Sequence, residues 1–420
     1  MSEPRLERRI GVLGAILLAF NGAVGAGIFA LPGTLAADFG IFSPWLFPLV
    51  ALGAMLIVWP FTQSVAAFSE SGGPATYARV FGRLPGFEVG WIYYVSRAAA
   101  FAANANVLTA YVARWWTSAD EGLLRAALIV GVTAIFAAAN IVGVRRSLRL
   151  LGGLTILKAL PLLVLAIAVI AITGPSVVPS PLPPLTEVEA GILVVFYAFI
   201  GFENVTVPAG ETRRPHIALP RAIFTTFAAM TLLYFLVQLA FIGVFPTGSA
   251  DEKAPLIDLA GWAAGTAGIS AITLTIIASL AGNLQSNLAC TPRLTYAMST
   301  RGDLPRWFGR VAKRFETPAN SIAFMAVLAG MLALTGSFVI LASISVLSRL
   351  ISYAVTIAAL PRAPDLPRLT PSHWVSGAIG IAVCIWAAAQ ADAKAWITLG
   401  VLAGAGLLLY SIASMRRFAR

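Results

Sequence analysis

Asn21-Gly22-Ala23-Val24-Gly25-Ala26-Gly27-Ile28-Phe29 is the stretch on which the reading of this chain turns. It sets three glycines within six residues in the middle of an apolar block covering residues 11–36. At about 1.5 Å of rise per residue such a block crosses a hydrocarbon core of about 30 Å as a helix. Each glycine, however, weakens a helix by about 1 kcal/mol relative to alanine. The stretch is either a small-residue face for close helix packing or a point at which the helix is interrupted.

The rest of the chain has the composition of a membrane protein. Of its 420 residues 59% are hydrophobic and only 11% charged, where a soluble protein of this size carries about 25% charged residues. Apolar blocks recur at residues 11–36, 44–69, 87–113, 123–144, 150–174, 188–210, 219–245, 265–292, 319–335, 338–360, 373–391 and 395–415. Runs such as 160–172 do not alternate in polarity, which excludes a β-barrel. The fold class expected is therefore an all-α polytopic membrane protein with about twelve transmembrane helices. The first block continues through Ala37 and is too long for the apolar region of a signal peptide.

The net charge of +11 follows the membrane rather than a nucleic acid. With the N-terminus inside, 22 of the 29 Lys and Arg residues fall in inside segments and only Arg114, Arg125, Lys253 and Lys394 fall outside. An even number of spans with this bias puts both termini in the cytoplasm of an inner-membrane protein. Cys290 and Cys384 have no partner nearby in sequence, and His216 and His373 sit in loops. No metal site, disulfide framework or cofactor is expected. Neither a catalytic constellation nor a phosphate-binding Gly-x-x-x-x-Gly-Lys-Ser/Thr loop is present, so the chain reads as neither an enzyme nor a primary pump.

A second interruption decides how the first is read. The sixth block contains Phe199-Ile200-Gly201-Phe202-Glu203-Asn204, a carboxylate and an amide at hydrocarbon depth. The two irregular stretches lie five spans apart, so their helices run in opposite directions, the pattern of an inverted repeat. Broken helices at corresponding places in two inverted halves mark a transporter's substrate site. The halves are expected at residues 1–174 and 175–360, with two further helices in 361–420. The connection at 175–184 is proline-rich.

Four motifs together resemble the amino acid/polyamine/organocation transporters, whose fold is the five-plus-five inverted repeat with broken helices 1 and 6. They are the 22–29 glycine stretch, the Ser71-Gly72-Gly73-Pro74-Ala75-Thr76-Tyr77 turn, Phe199-Ile200-Gly201-Phe202-Glu203, and the loop from Gly210-Glu211 to Pro220-Arg221-Ala222-Ile223. The resemblance implies a secondary amino acid transporter, proton-coupled or exchanging, with alternating access. Import, export or exchange, and a polyamine substrate, stay open, and a channel or sensor on the same scaffold is the remote alternative.

The resemblance also implies a site. Where helix 1 unwinds, N–H groups of Ala26 and Gly27 hold an α-carboxylate, while carbonyls of Ala23 and Ile200 accept from the α-ammonium; Gly25 permits the close approach. Ala98, Phe101, Tyr197, Phe202 and Asn287 surround the substrate side chain, and Tyr197 or Phe199 is either a gate or an ordinary packing aromatic. Tyr93 and Tyr94 read as packing. Of four ionisable residues inside spans, Lys158 and Glu203 match coupling positions in relatives, whereas Arg97 and Arg349 line the cytoplasmic vestibule or pair with helix ends. Asn21 and Gly22 carbonyls, Ser279 and Asn283 are candidate partners for Lys158. Because Glu203 is the only acid deep in any span, neutral amino acids are favoured as substrates. Protons and membrane lipid complete the expected partners.

Overall fold

The computed structural model describes residues 10–68, 73–113, 116, 121–142, 148–174, 185–206, 209, 212–247, 254–312, 314–315, 317–363 and 369–418. Among them are fifteen α-helices and no β-strand, only isolated bridges at Ile10–Thr212 and Ala312–Thr317. The first apolar block forms two helices, α1 (Val12–Ala23) and α2 (Ala26–Phe39), followed by α3 (Ser43–Ala67) and the short α4 (Pro74–Tyr77). Then come α5 (Arg83–Ala113), α6 (Gly122–Val142), α7 (Leu148–Thr173) and α8 (Leu185–Phe199). The remainder comprises α9 (Pro215–Val244), α10 (Pro255–Cys290), α11 (Pro292–Thr300), α12 (Ala319–Thr335), α13 (Phe338–Ala359), α14 (Pro371–Ala389) and α15 (Ala393–Phe418).

Eight segments of the described residues are long and apolar enough to cross a membrane, and Val12–Ala23, Gly191–Thr206 and Ala319–Thr335 are shorter apolar helices. Burial sorts them into an inner and an outer set. Within Phe338–Arg362 67% of the most apolar window is buried, against 17% in Gly122–Val142 and 11% in Ala393–Met415. Leu123, Val130 and Ile135 of α6 and Ile397, Val401 and Leu408 of α15 face outward, as helices solvated by acyl chains do.

At the centre α5 packs along α13, and α3 along α9. Alanines 98–100, 102, 103 and 105 of α5 are all buried, and such small residues let helices approach where no hydrophobic force drives association in lipid. The eighth apolar block was expected to begin near residue 265; in the structure α10 starts at Pro255 and turns a corner at Ala264 and Gly265 (φ +58) before entering the bundle. Gly73 (φ +60) turns the chain into α4, which starts on Pro74. Ser71 and Gly72 of that motif, Gly210 and Glu211 of the next, and the 175–184 connection lie outside the described residues.

Candidate functional site

The site begins where α1 stops. Val24 is extended (φ −71, ψ 97) though its N–H still reaches the Phe20 carbonyl at 2.9 Å. Gly25 then takes φ −132, ψ −139, and α2 starts at Ala26 with no side-chain cap. A helix start leaves up to four backbone N–H groups without helical partners and carries the positive end of the helix dipole. On the other side of the break α1 presents carbonyls, and side chains from distant helices reach them. Asn283 Nδ2 lies 3.5 Å from the Asn21 carbonyl and 3.4 Å from that of Gly22. Lys158 Nζ donates to the Val24 carbonyl at 3.2 Å. Asn21 itself donates to Thr155 Oγ1, tying α1 to α7.

The second break lies against the first. After α8 ends at Phe199, Gly201 adopts φ +113 and residues Phe202–Thr206 wind into a 3₁₀ turn. Gly201 packs on the backbone of Gly22 and Ala23 so closely that a Cβ would stand 2.7 Å from Ala23 Cα. Asn204 packs on Gly22 and accepts from Arg97 Nη1. Glu203, fully buried, folds back on the break: its Oε2 accepts from the Gly201 N–H at 2.8 Å and from the Tyr353 hydroxyl at 2.9 Å. Its Oε1 lies 3.3 Å from Arg349 Nε, which also donates to Ser96 Oγ at 2.7 Å. The carboxylate thus accepts two hydrogen bonds through Oε2 and faces the Arg349 guanidinium through Oε1.

Between the breaks is a cavity of about 20 Å³, lined by Gly22, Ala23, Gly25, Ala26, Gly27 and by Tyr197 and Ile200. Its remaining wall comes from Arg97, Ala100 and Asn104 of α5, Asn283 and Asn287 of α10, and Arg349 of α13. That volume holds about one water. Tyr197 covers one side, its hydroxyl 3.4 Å from Asn104 Nδ2 and its ring edge-on to Phe338. The larger groove of about 650 Å³ between α3 and α9 is walled by Trp45, Phe224, Phe235 and other apolar groups, and brings none of these donors and acceptors together.

Of the residues named from sequence, Ala23, Gly25, Ala26, Gly27, Tyr197, Ile200 and Asn287 meet on this lining. Phe199 and Phe202 are buried behind it, Phe199 stacked on Phe227 and Phe202 edge-on to Phe61 and Phe227. Ala98 and Phe101 are buried off the lining. On α5 the lining face is instead 97, 100 and 104, a helical spacing of three and four that presents one guanidinium and one amide. Asn104 was not singled out from sequence; a buried amide seven residues after Arg97 was the available signal. Arg349 both pairs with Glu203 and lines the cavity.

The family described as amino acid permease matches residues 10–391. The chain belongs to the amino acid permease family. Across 412 aligned residues the permease is 28% identical to an uncharacterized transporter of Mycobacterium tuberculosis, covering 95% of this chain and 91% of that one. It is 27% identical to a branched-chain amino acid permease of Bacillus subtilis, over 91% of this chain and 87% of the relative. A methylthioribose transporter of the same bacterium is 24% identical over 98% of this chain and 94% of its own length.

Proposed function

We propose that this permease is a secondary active transporter of amino acids in the cell inner membrane, proton-coupled and sodium-independent, built from two inverted five-helix halves that alternate access to one site. The observation that carries the reading is the meeting of two broken helices at one small cavity, with the start of α2 and the carbonyl end of α1 both on its wall. A zwitterion is the ligand such a wall complements. N–H groups of Ala26 and Gly27 take the α-carboxylate, and the carbonyls of Ala23 and Ile200 take the α-ammonium. The relatives' names agree in kind: one is an amino acid permease, and all are transporters or permeases.

The proton is assigned to Lys158 rather than to Glu203. Glu203 accepts from the Gly201 N–H within the second break, accepts from Tyr353 of α13 and pairs with Arg349 of the same helix, whereas Lys158 Nζ holds a carbonyl of the first break from α7. Glu203→Gln brings an amide NH₂ among those donors. Losing a buried ion pair costs about 3 kcal/mol, so the variant is expected to melt several degrees lower in detergent while its residual transport keeps the wild-type pH profile. A Glu203→Gln protein of unchanged melting temperature with a flattened pH profile would move the proton to Glu203.

The function itself is tested by reconstituting the purified protein into liposomes, imposing a pH gradient in sodium-free buffer, and offering a panel of labelled amino acids. Accumulation of at least one is expected. Trans-stimulated exchange without accumulation would make the protein an exchanger, and failure of every compound to accumulate or exchange would remove the reading.

A further inference from the structure

The charges around the cavity do not balance for a zwitterion. Arg97 (7% exposed), Lys158 (2%), Arg349 (2%) and Glu203 (0%) are all buried near the two breaks, three cations against one anion. Glu203 offsets Arg349, and Lys158 rests on the Val24 carbonyl off the cavity wall. Arg97 is on the wall, and no carboxylate among the described residues pairs with it. Its Nε donates to Thr291 Oγ1 at 3.3 Å and its Nη1 to Asn204, both neutral.

The guanidinium groups are also left with donors to spare. Nη2 of Arg97 and both terminal nitrogens of Arg349 have no hydrogen-bond partner among the described residues, although both side chains line the cavity. A guanidinium keeps its charge at any physiological pH and matches a carboxylate bidentately, and a buried charge without a counter-charge is costly. Asn104 Oδ1, buried beside Gly25 without a donor, is the opposite case, an acceptor free to meet an ammonium.

We propose that the substrate is an α-amino acid with an acidic side chain, its second carboxylate seated on Arg97 and the free nitrogens of Arg349. This rests on the amino acid transport proposed above and departs from the neutral substrate that the sequence favours. That expectation counted acids within spans and found only Glu203; the structure commits Glu203 to a donor cluster and leaves an uncompensated cation on the wall. A zwitterion with a neutral side chain leaves Arg97 unpaired in the closed site. One with a side-chain carboxylate brings the missing charge.

The test is uptake by proteoliposomes containing the full chain, with labelled glutamate, aspartate, glutamine, leucine and glutarate under one pH gradient. Wild type is expected to prefer an acidic amino acid over glutamine by about tenfold or more, the worth of one charge-assisted bidentate contact. Arg97→Gln is expected to bring that ratio to about one by losing acidic uptake, and Arg97→Lys to recover part of it. Because Arg97 also holds Asn204, the wild-type ratio is the primary readout and requires no variant to fold. Preference of wild type for glutamine or leucine overturns the acidic substrate and leaves amino acid transport standing. Uptake of glutarate alone overturns both, and uptake of none of the five overturns the acidic substrate.

Discussion

Gly201→Ala is expected to abolish transport, lowering the initial uptake rate about 100-fold or more, the effect that a misplacement of about 1 Å has on an organised site. Two independent penalties meet at this residue. Its φ of +113 lies where side chains are strained, a cost of about 1–3 kcal/mol. An added Cβ would also stand 2.7 Å from Ala23 Cα and 2.8 Å from the Gly22 carbonyl carbon. These are backbone atoms with no rotamer to adopt, and such overpacking costs a further 1–3 kcal/mol or about that. The strain is relieved only by moving the second break away from the first. That move stretches the 2.8 Å bond from the Gly201 N–H to Glu203, loosens Asn204 on Gly22, and displaces the carbonyl of Ile200 from the cavity wall. Gly53→Ala in α3 is the matched control: nothing lies within 4 Å of its would-be Cβ, and a surface change of this kind stays within about 0.5 kcal/mol. Wild-type uptake by Gly201→Ala would mean that the contact between the breaks is incidental to transport.

The first break was legible because glycine is costly in a helix, and the second because an acid and an amide stand in apolar surroundings. Both signals are local. What the sequence could not supply is rotation about each helix axis. The missing side chain of Gly27 faces Ala198 of α8, with a Cβ position 2.8 Å from its Cα. Gly27 therefore serves close packing of the two broken helices as well as lining the cavity, two readings that compete on sequence alone and coincide in space. On α5 the reading by resemblance named Ala98 and Phe101, while packing of α5 against α13 and α10 turns Arg97, Ala100 and Asn104 to the cavity. One residue of offset is about 100° on a helix, and it changes the character of the wall from apolar to cationic. The partners of Glu203 were out of reach for another reason: Tyr353 is 150 positions away, and only the packing of α13 against the break brings it within bonding distance. The short helices α4 and α11 carry too few residues to announce themselves by periodicity.

Lys158→Ala and Lys158→Met are expected to uncouple transport from the proton gradient while leaving substrate binding in place. Lys158 does not line the cavity; its Nζ is buried and donates to the carbonyl of Val24, the extended residue that follows α1 at the break. A lysine that extended its charge to the cytoplasmic surface would be solvated at the tip, and this one is 2% exposed. The bond therefore joins α7 to the hinge between α1 and α2, beside the Asn283 contacts from α10 to the Asn21 and Gly22 carbonyls. An ammonium holds a carbonyl by a charge-assisted bond, roughly twice as strong as a neutral one, so under the proposed coupling gaining or losing the proton would tighten or loosen α7 on the hinge. With one proton moved per substrate, each pH unit is worth about tenfold in accumulation. Wild type should approach that ratio in sodium-free buffer, and both variants should stop at equal concentrations inside and out. The pair of substitutions separates charge from bulk. Alanine leaves the Val24 carbonyl without its partner, at a cost of about 1–3 kcal/mol, whereas methionine restores most of the volume and none of the charge. If Lys158→Met accumulated substrate with the wild-type pH dependence, the ammonium would be a strut whose proton never moves, and the coupling ion would have to act elsewhere on the hinge.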